Sequence, residues 1–273
     1  MPELPEVQTV VEYLKKIPLS GKIIHSIHSP NEYEKVCNNS SLDEFRNFLQ
    51  KKQIKDVFRR GKYIIMELNT GFLLFHLRMT GKLINELKNK IDLKYVSLQI
   101  NFQDGSKLFF RDTRKFGQAY ICKNLNWLEE RLGIEPLSQK LNPNWLYSLF
   151  KSHNRMVKAL LLDQQFIAGL GNIYIDEALW HARIHPKAIS SKIKRKNIND
   201  LCTAIKATLQ NAIMHNGTTI TDFSYGNNGK GSFSNELKVF NRTNEPCLIC
   251  NTSISKIFVV QRGTHFCKKC QRV

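Results

Sequence analysis

Lys62-Tyr63-Ile64-Ile65-Met66-Glu67-Leu68, then Asn69-Thr70-Gly71, then Phe72-Leu73-Leu74-Phe75-His76-Leu77: two apolar runs meet across a turn triplet. Both runs are too short for a buried helix and rich in aromatic and β-branched residues, so they predict two strands of a hairpin. The same texture extends from Ile54 to Tyr120, with further strands over Tyr95 to Phe102 and Lys107 to Arg111 around a Gln103-Asp104-Gly105 turn. Several short strands with regular turns imply a β-sandwich or barrel-like domain. Working outward toward the N-terminus, Gly21 to His28 reads as one more strand, broken by Ser29-Pro30-Asn31. Residues 41 to 50 read as a short helix capped by Ser40 or Ser41, and Val7, Val10, Val11 and Leu14 form the apolar face of an N-terminal helix. This N-terminal domain is expected to span 1–131.

Beyond it, Leu132 to Asn144 carries Gly133, Pro136 and Pro143 and reads as a linker. The period then becomes helical. Helices are expected over Asn144 to Lys151, Arg155 to Asp163, Asn172 to His181 and Asn199 to His215. The last has Leu201, Ile205, Leu209 and Ile213 on one stripe and Gly217 as its stop. A glycine-rich loop, Tyr225 to Gly231, follows and is expected to be mobile. The fold class is therefore α+β and multidomain: a β-sandwich or barrel-like domain (1–131) opened by a helix, a linker (132–144), a helical domain with the glycine-rich loop (145–235), and a small terminal domain (236–273).

The chain has 273 residues, with 41 Lys plus Arg against 23 Asp plus Glu, a formal net charge of +18. That excess calls for a polyanionic partner, nucleic acid first and an anionic membrane second. No apolar run reaches transmembrane length, and the N-terminus lacks a signal-peptide layout, so a soluble intracellular protein is expected. Seven cysteines suit metal binding in a reducing compartment better than disulfides.

Four of the seven fall as Cys247-Leu248-Ile249-Cys250 and Cys267-Lys268-Lys269-Cys270. Two short pairs separated by a hairpin-length span predict one structural, closed Zn²⁺ site. Lys256, Arg262, Lys268 and Lys269 decorate that hairpin, either as phosphate contacts or as a solvated basic face. At the other end of the chain, Met1-Pro2-Glu3-Leu4-Pro5-Glu6 admits two readings. Removal of Met1 would expose the secondary amine of Pro2, a nucleophile with an α-amino group's low pKa, with Glu3 beside it to move protons. Alternatively, Pro2 and Pro5 only stiffen the approach to the helix. Gly169-Leu170-Gly171-Asn172 opens a helix whose N–H groups are suited to a phosphate, with Asn172 equally readable as an N-cap. Phe116, in Asp112-Thr113-Arg114-Lys115-Phe116-Gly117, is either a wedge for a base stack or a core residue, and Met79 the same. Lys62 opens a strand, where most lysines are surface residues.

Taken together, these motifs resemble the formamidopyrimidine-DNA glycosylase family, whose helical domain is a helix-two-turn-helix. The likeness rests on Met1 to Val7, Arg60-Gly61-Lys62-Tyr63, His76 to Gly81, Asp112 to Gly117, Gly169 to Tyr174 and the terminal Cys₄ finger, six motifs in the family's order. The resemblance implies a bifunctional glycosylase and AP lyase of base-excision repair acting on oxidised purines in double-stranded DNA, as a monomer in the bacterial cytoplasm. It implies Pro2 as nucleophile, Glu3 as general acid, Lys62 for β-elimination and Arg262 for δ-elimination. Met79, Arg114 and Phe116 would fill the gap left by a flipped base, while Asn172 and Arg262 hold phosphates, with Lys158 nearby on its helix as a further DNA contact. Glu6 would help to position the nucleophile, and the loop Tyr225 to Ser234 would close over the flipped base. Tyr95 and Asn154 stand where DNA contacts are usual, yet family members often carry a histidine pair near Tyr95 and Ser97 and a cation at 154. Leu4 separates the chain from the endonuclease VIII branch, which acts on oxidised pyrimidines and usually has Gly there. A non-catalytic zinc-dependent DNA-binding protein is the rival of another class; it would require neither Pro2-Glu3 nor Lys62.

Overall fold

The computed structural model describes residues 1–87, 90–226 and 228–272, so Asn227 of the glycine-rich loop and Val273 of the terminal domain lie outside the described residues. The chain forms two compact units. The first takes Met1–Leu128 together with Asn216–Ser232, and the second takes Glu129–His215 and the chain from Phe233 onward. These bounds differ from a division at 131, 144 and 235, because a segment following the longest helix returns to the β unit.

In the first unit, α1 (Leu4–Lys16) buries Val7, Val10, Val11 and Leu14 in one core with two four-stranded antiparallel sheets. Its Pro5 supplies a preset φ in the first turn, where no N–H partner is lost. One sheet has the order β1 (Ile24–His28), β6 (Val96–Phe102), β7 (Lys107–Asp112), β5 (Gly81–Ile84). The other has the order β2 (Ile54–Arg60), β3 (Tyr63–Leu68), β4 (Phe72–His76), β8 (Gln118–Cys122). The opening hairpin is β3–β4, with Ile65 opposite Leu74 and Tyr63 opposite His76. Ile64, Met66, Leu73 and Phe75 from this sheet and Leu98, Ile100, Leu108 and Phe110 from the other share the core, which is the arrangement of a sandwich. Helix α2 (Leu42–Leu49) is capped by Ser41, whose hydroxyl accepts from the Glu44 N–H while Glu44 reaches back to the Ser41 N–H, so Ser41 and not Ser40 is the cap. A four-residue helix, α3 (Asn126–Glu129), closes the stretch.

In the second unit, 132–144 is not a free tether. Ile134 pairs with Ile167, and Gly133 donates to the Gln164 carbonyl, because chain that passes a core edge must place its polar groups. Helix α4 (Pro143–Lys151) begins one residue earlier than expected, capped by Asn142. Helices α5 (Val157–Leu162), α6 (Asn172–His181) and α7 (Arg195–Met214) follow. Helix α7 starts four residues ahead of the expected Asn199, since Ile198 extends its buried stripe, while Ile213 is only half-buried. The chain ends in a hairpin of β9 (Ile254–Val259) and β10 (Arg262–Cys267). Its small core consists of Cys247, Cys267, Ile254, Val239 and Trp180, the last from α6. Among the described residues no helix is long and apolar enough to cross a membrane.

Candidate active site and DNA-contact residues

Within the first unit, the N-terminal segment is held from below. Pro2 is buried and Glu3, the residue preceding α1, is 4% exposed. The Glu6 carboxylate spans two segments: one oxygen accepts the Glu3 N–H at 2.8 Å and the other accepts the Thr218 N–H at 2.7 Å. Gly217 makes this approach possible, since a Cβ there would lie 2.7 Å from the same Glu6 oxygen. The start of α1 is thereby fixed to the root of the glycine-rich loop, 212 residues further along the chain.

The described residues of that loop make several contacts within the first unit. Phe223 and Tyr225 pack against the sandwich core, and the backbones of Tyr225 and Gly229 pair. Lys82 donates to Ser224, and Gly226 lies against the ring of Tyr13.

Lys62 sits in the turn between β2 and β3 and is only 7% exposed, which sets it apart from an ordinary surface lysine. Its charge is felt by His76, whose pKa is pushed down to about 3 by burial first, then by the positive charges of Arg78 and Lys62. His76 is thus a neutral imidazole, accepting the Arg78 N–H at 3.1 Å and meeting the Tyr63 ring edge-on.

Met79, Arg114 and Phe116 come together in space. Met79 is 39% and Phe116 57% exposed, so neither is a core residue. The Arg114 guanidinium donates to Met79 Sδ at 3.1 Å and lies 5.9 Å from the Phe116 ring centre. What fixes them is Asp112, fully buried, a residue to which the sequence reading gave no role. Its carboxylate accepts the Gly117 N–H at 2.6 Å, the Arg114 N–H at 3.1 Å and the Thr80 hydroxyl. Thr80 belongs to the loop carrying Met79, so one carboxylate ties both loops. Gly117 is required because a Cβ there would meet Phe110 at 2.5 Å and Asp112 at 2.9 Å. Tyr95 is not part of this trio: it is half-buried, with Lys94 and Arg111 over its ring.

Within the second unit, Asn172 opens α6 with Gly171, not Asn172, as the N-cap. Its amide donates to the Gly263 carbonyl at 2.8 Å, next to Arg262 on the exposed end of β10. Asn154 is exposed and accepts from the Ser191 hydroxyl at 2.9 Å. Lys158 must be corrected as a direct DNA contact. Its side chain is 0% exposed, paired with Asp176 at 2.6 Å and donating to Thr264 at 2.8 Å, so its ammonium faces the interior. Sequence alone marked it as one more cation. Glu177 is buried too, accepting the N–H groups of Lys238, Val239 and Phe240 at 2.8, 3.0 and 2.8 Å. Burial raises its pKa, against the opposing pull of those three donors.

The sulfurs of Cys247, Cys250, Cys267 and Cys270 all lie within 4.8 Å of one another. A tetrahedral Zn–S site has sulfurs roughly 3.8 Å apart, and Cys247–Cys270 at 3.9 Å and Cys250–Cys267 at 3.4 Å bracket that value. Hydrogen bonds from Thr252 pull the Cys250 thiol down to about 6, whereas burial and then the neighbouring thiols push Cys270 up to about 12. Four thiolates held this close need a divalent cation between them. The set fits one structural Zn²⁺.

Residues 1–119 match the formamidopyrimidine-DNA glycosylase N-terminal domain, 132–224 the formamidopyrimidine-DNA glycosylase H2TH domain, and 244–273 the zinc finger found in FPG and IleRS. The chain is 40% identical over 277 residues to a formamidopyrimidine-DNA glycosylase of Protochlamydia amoebophila, and 38% identical over 278 residues to that of Bacillus licheniformis, with each chain covered in full. Among solved structures, a Lactococcus lactis FPG mutant in complex with a Fapy-dG-containing DNA superposes with a TM-score of 0.91 at 34% identity, again over both whole chains. The wild-type Lactococcus lactis FPG with an oxidised-pyrimidine-containing DNA gives 0.89 at 34% identity and the same coverage.

Proposed function

The chain belongs to the formamidopyrimidine-DNA glycosylase family of DNA-repair enzymes, and from that premise we propose that it excises oxidised purines and cuts the strand through a covalent intermediate on Pro2. It is a DNA glycosylase carrying one structural Zn²⁺, and its partner is DNA. The finer reading draws its main support from the buried N-terminal segment, where Glu6 grips the Glu3 N–H and so fixes the residue next to Pro2.

With Met1 removed, the Pro2 nitrogen donates its lone pair to C1′ of the damaged nucleotide, the base leaves with the electrons of the glycosidic bond, and the proton shed by the Pro2 nitrogen neutralises the departing base. Glu3 gives a proton to the ring oxygen as the sugar opens. The resulting iminium, formed by a secondary amine, has no N–H to lose and stays cationic, so it draws electrons from the adjacent C–H bond. Lys62 removes that C2′ proton, and the C3′–O bond breaks with its electrons on the departing phosphate. A second elimination, served by Arg262, breaks the C5′–O bond and leaves a one-nucleotide gap.

A base inside a duplex reaches such a centre only when flipped out, at a cost of a few kcal/mol. Met79, Arg114 and Phe116 are the side chains offered to the vacated stack, with Arg114 facing the acceptors of the orphaned base. Asn172 and Arg262 hold flanking phosphates, and the loop of 225–234 covers the base. The protein acts as a monomer. An alternative, excision of oxidised pyrimidines, is favoured by the Lactococcus lactis complex with such a DNA. Parallel single-turnover assays with 8-oxoguanine opposite cytosine and with an oxidised pyrimidine decide between them. Faster release of the pyrimidine would overturn the purine reading.

A further inference from the structure

Three successive residues of β10, Gly263 to His265, are tied down by side chains of α5 and α6, and the second of them holds Arg262. The Thr264 hydroxyl donates to the Arg262 carbonyl at 2.8 Å, and the Asn172 amide donates to the Gly263 carbonyl at 2.8 Å. Lys158 Nζ donates to Thr264 Oγ1 at 2.8 Å, and one Asp176 oxygen accepts the His265 N–H at 2.8 Å while the other holds Lys158 at 2.6 Å. Lys158, Asp176 and Thr264 are all within 1% of complete burial.

Two features make this more than generic packing. A buried ion pair is a costly way to stabilise a core, since an apolar pair of the same volume does as well, so its retention points to placement of something. The two-residue turn just before Arg262 has Val260 at φ +42° and Gln261 at φ +60°, ordinary hairpin geometry except that a β-branched residue sits at Val260, where it persists only if its surroundings over-determine it. The anchored strand β10 supplies that constraint, and Arg262 is its first residue.

We propose that the Lys158–Asp176 pair, acting through Thr264, is the positioning device for Arg262 and sets how completely the second strand cut follows the first. Lys158, Asp176 and Thr264 are positioning residues, since none is exposed to substrate. This rests on the reading above that Arg262 serves the δ-elimination.

The test is Thr264→Val, which keeps the side chain's shape and removes the hydroxyl joining Lys158 to the Arg262 carbonyl, with Thr264→Ser as the conservative rescue. On duplex bearing an abasic site, the ratio of gapped to singly nicked product is measured, together with zinc content and the rate of borohydride-trappable adduct formation. A displaced guanidinium predicts a ratio about tenfold lower in Thr264→Val, with zinc and adduct rate unchanged and Thr264→Ser close to the parent. The double variant Lys158→Met/Asp176→Leu, which removes both charges together, should show the same loss, and neither change should add to Arg262→Ala. An unchanged ratio in Thr264→Val, where Arg262→Ala lowers it, overturns the proposal. So does a fall in zinc or adduct rate in both Thr264→Val and the double variant, which marks structural support alone. If Arg262→Ala itself leaves the ratio intact, the underlying reading of Arg262 fails.

Discussion

Asp112→Asn exchanges one oxygen for an NH₂ group at a fully buried position that now receives three donors. The amide has two orientations there. With its oxygen facing Arg114 and Thr80, its NH₂ opposes the Gly117 N–H at 2.6 Å, donor against donor. With its oxygen facing Gly117, the Thr80 hydroxyl can turn to accept, but the Arg114 N–H loses its carboxylate. Either way one charge-assisted bond disappears and the survivors become neutral, a loss of about 2–4 kcal/mol. The damage falls on the loops carrying Met79, Arg114 and Phe116, so DNA recognition should suffer beyond the stability change. Urea unfolding gives the first number, and titration of a duplex with a stable abasic analogue opposite cytosine gives the second. A midpoint shift worth under about 0.5 kcal/mol, the range of an ordinary surface change, with unaltered DNA affinity would show that Asp112 does not organise these loops.

Other perturbations separate stability from function. Phe116→Ala, at an exposed position, should leave unfolding within about 0.5 kcal/mol of the parent yet weaken binding to lesion duplex by about 1–3 kcal/mol if the ring stacks in DNA; equal affinity would return Phe116 to an ordinary loop role. Lys62→Met should slow β-elimination by about a hundredfold or more while adduct formation and DNA binding persist, measured in single-turnover gels; an unaffected nicking rate would remove Lys62 from the chemistry. Because the folded chain holds His76 neutral down to about pH 3 while the unfolded chain protonates near 6.5, the unfolded state binds the extra proton between those values. Stability should therefore fall as pH drops through that window, by up to about 1.4 kcal/mol per pH unit from this group. In His76→Phe that slope should be shallower in urea midpoints taken from pH 7 to 4, and an unchanged slope would contradict the assignment. Zinc removal by a chelator should unfold the terminal hairpin, whose core is mostly its own cysteines and Trp180, read as a tryptophan fluorescence change with loss of DNA binding; a metal-free protein that still bound would refute a structural Zn²⁺.

Local pattern carried much of the architecture. The β3–β4 hairpin, the valine face of α1 and the cysteine pairs were legible because each depends on residues close in sequence. What stayed hidden depends on distant partners. Nothing in the sequence around Asp112, Asp176 and Glu177 marks their partners, and only the fold brings Thr80, Lys158 and the 238–240 backbone onto them. Lys158 looked like one more cation in a basic chain because charge is visible in sequence and burial is not. The approach of Gly226 to the Tyr13 ring was hidden for the same reason, since a glycine signals permissive backbone and not its neighbour. Exposure of Met79 and Phe116 was likewise unreadable, since apolar residues default to the core.

The most direct test of the account is to trap the enzyme on duplex containing 8-oxoguanine opposite cytosine with borohydride and map the adduct by mass spectrometry. The account predicts a protein lacking Met1, with the sugar on the N-terminal nitrogen of Pro2, and no trapped product from Pro2→Gly. An adduct on a lysine such as Lys62, or binding without any adduct to this lesion or to an abasic site, would contradict it.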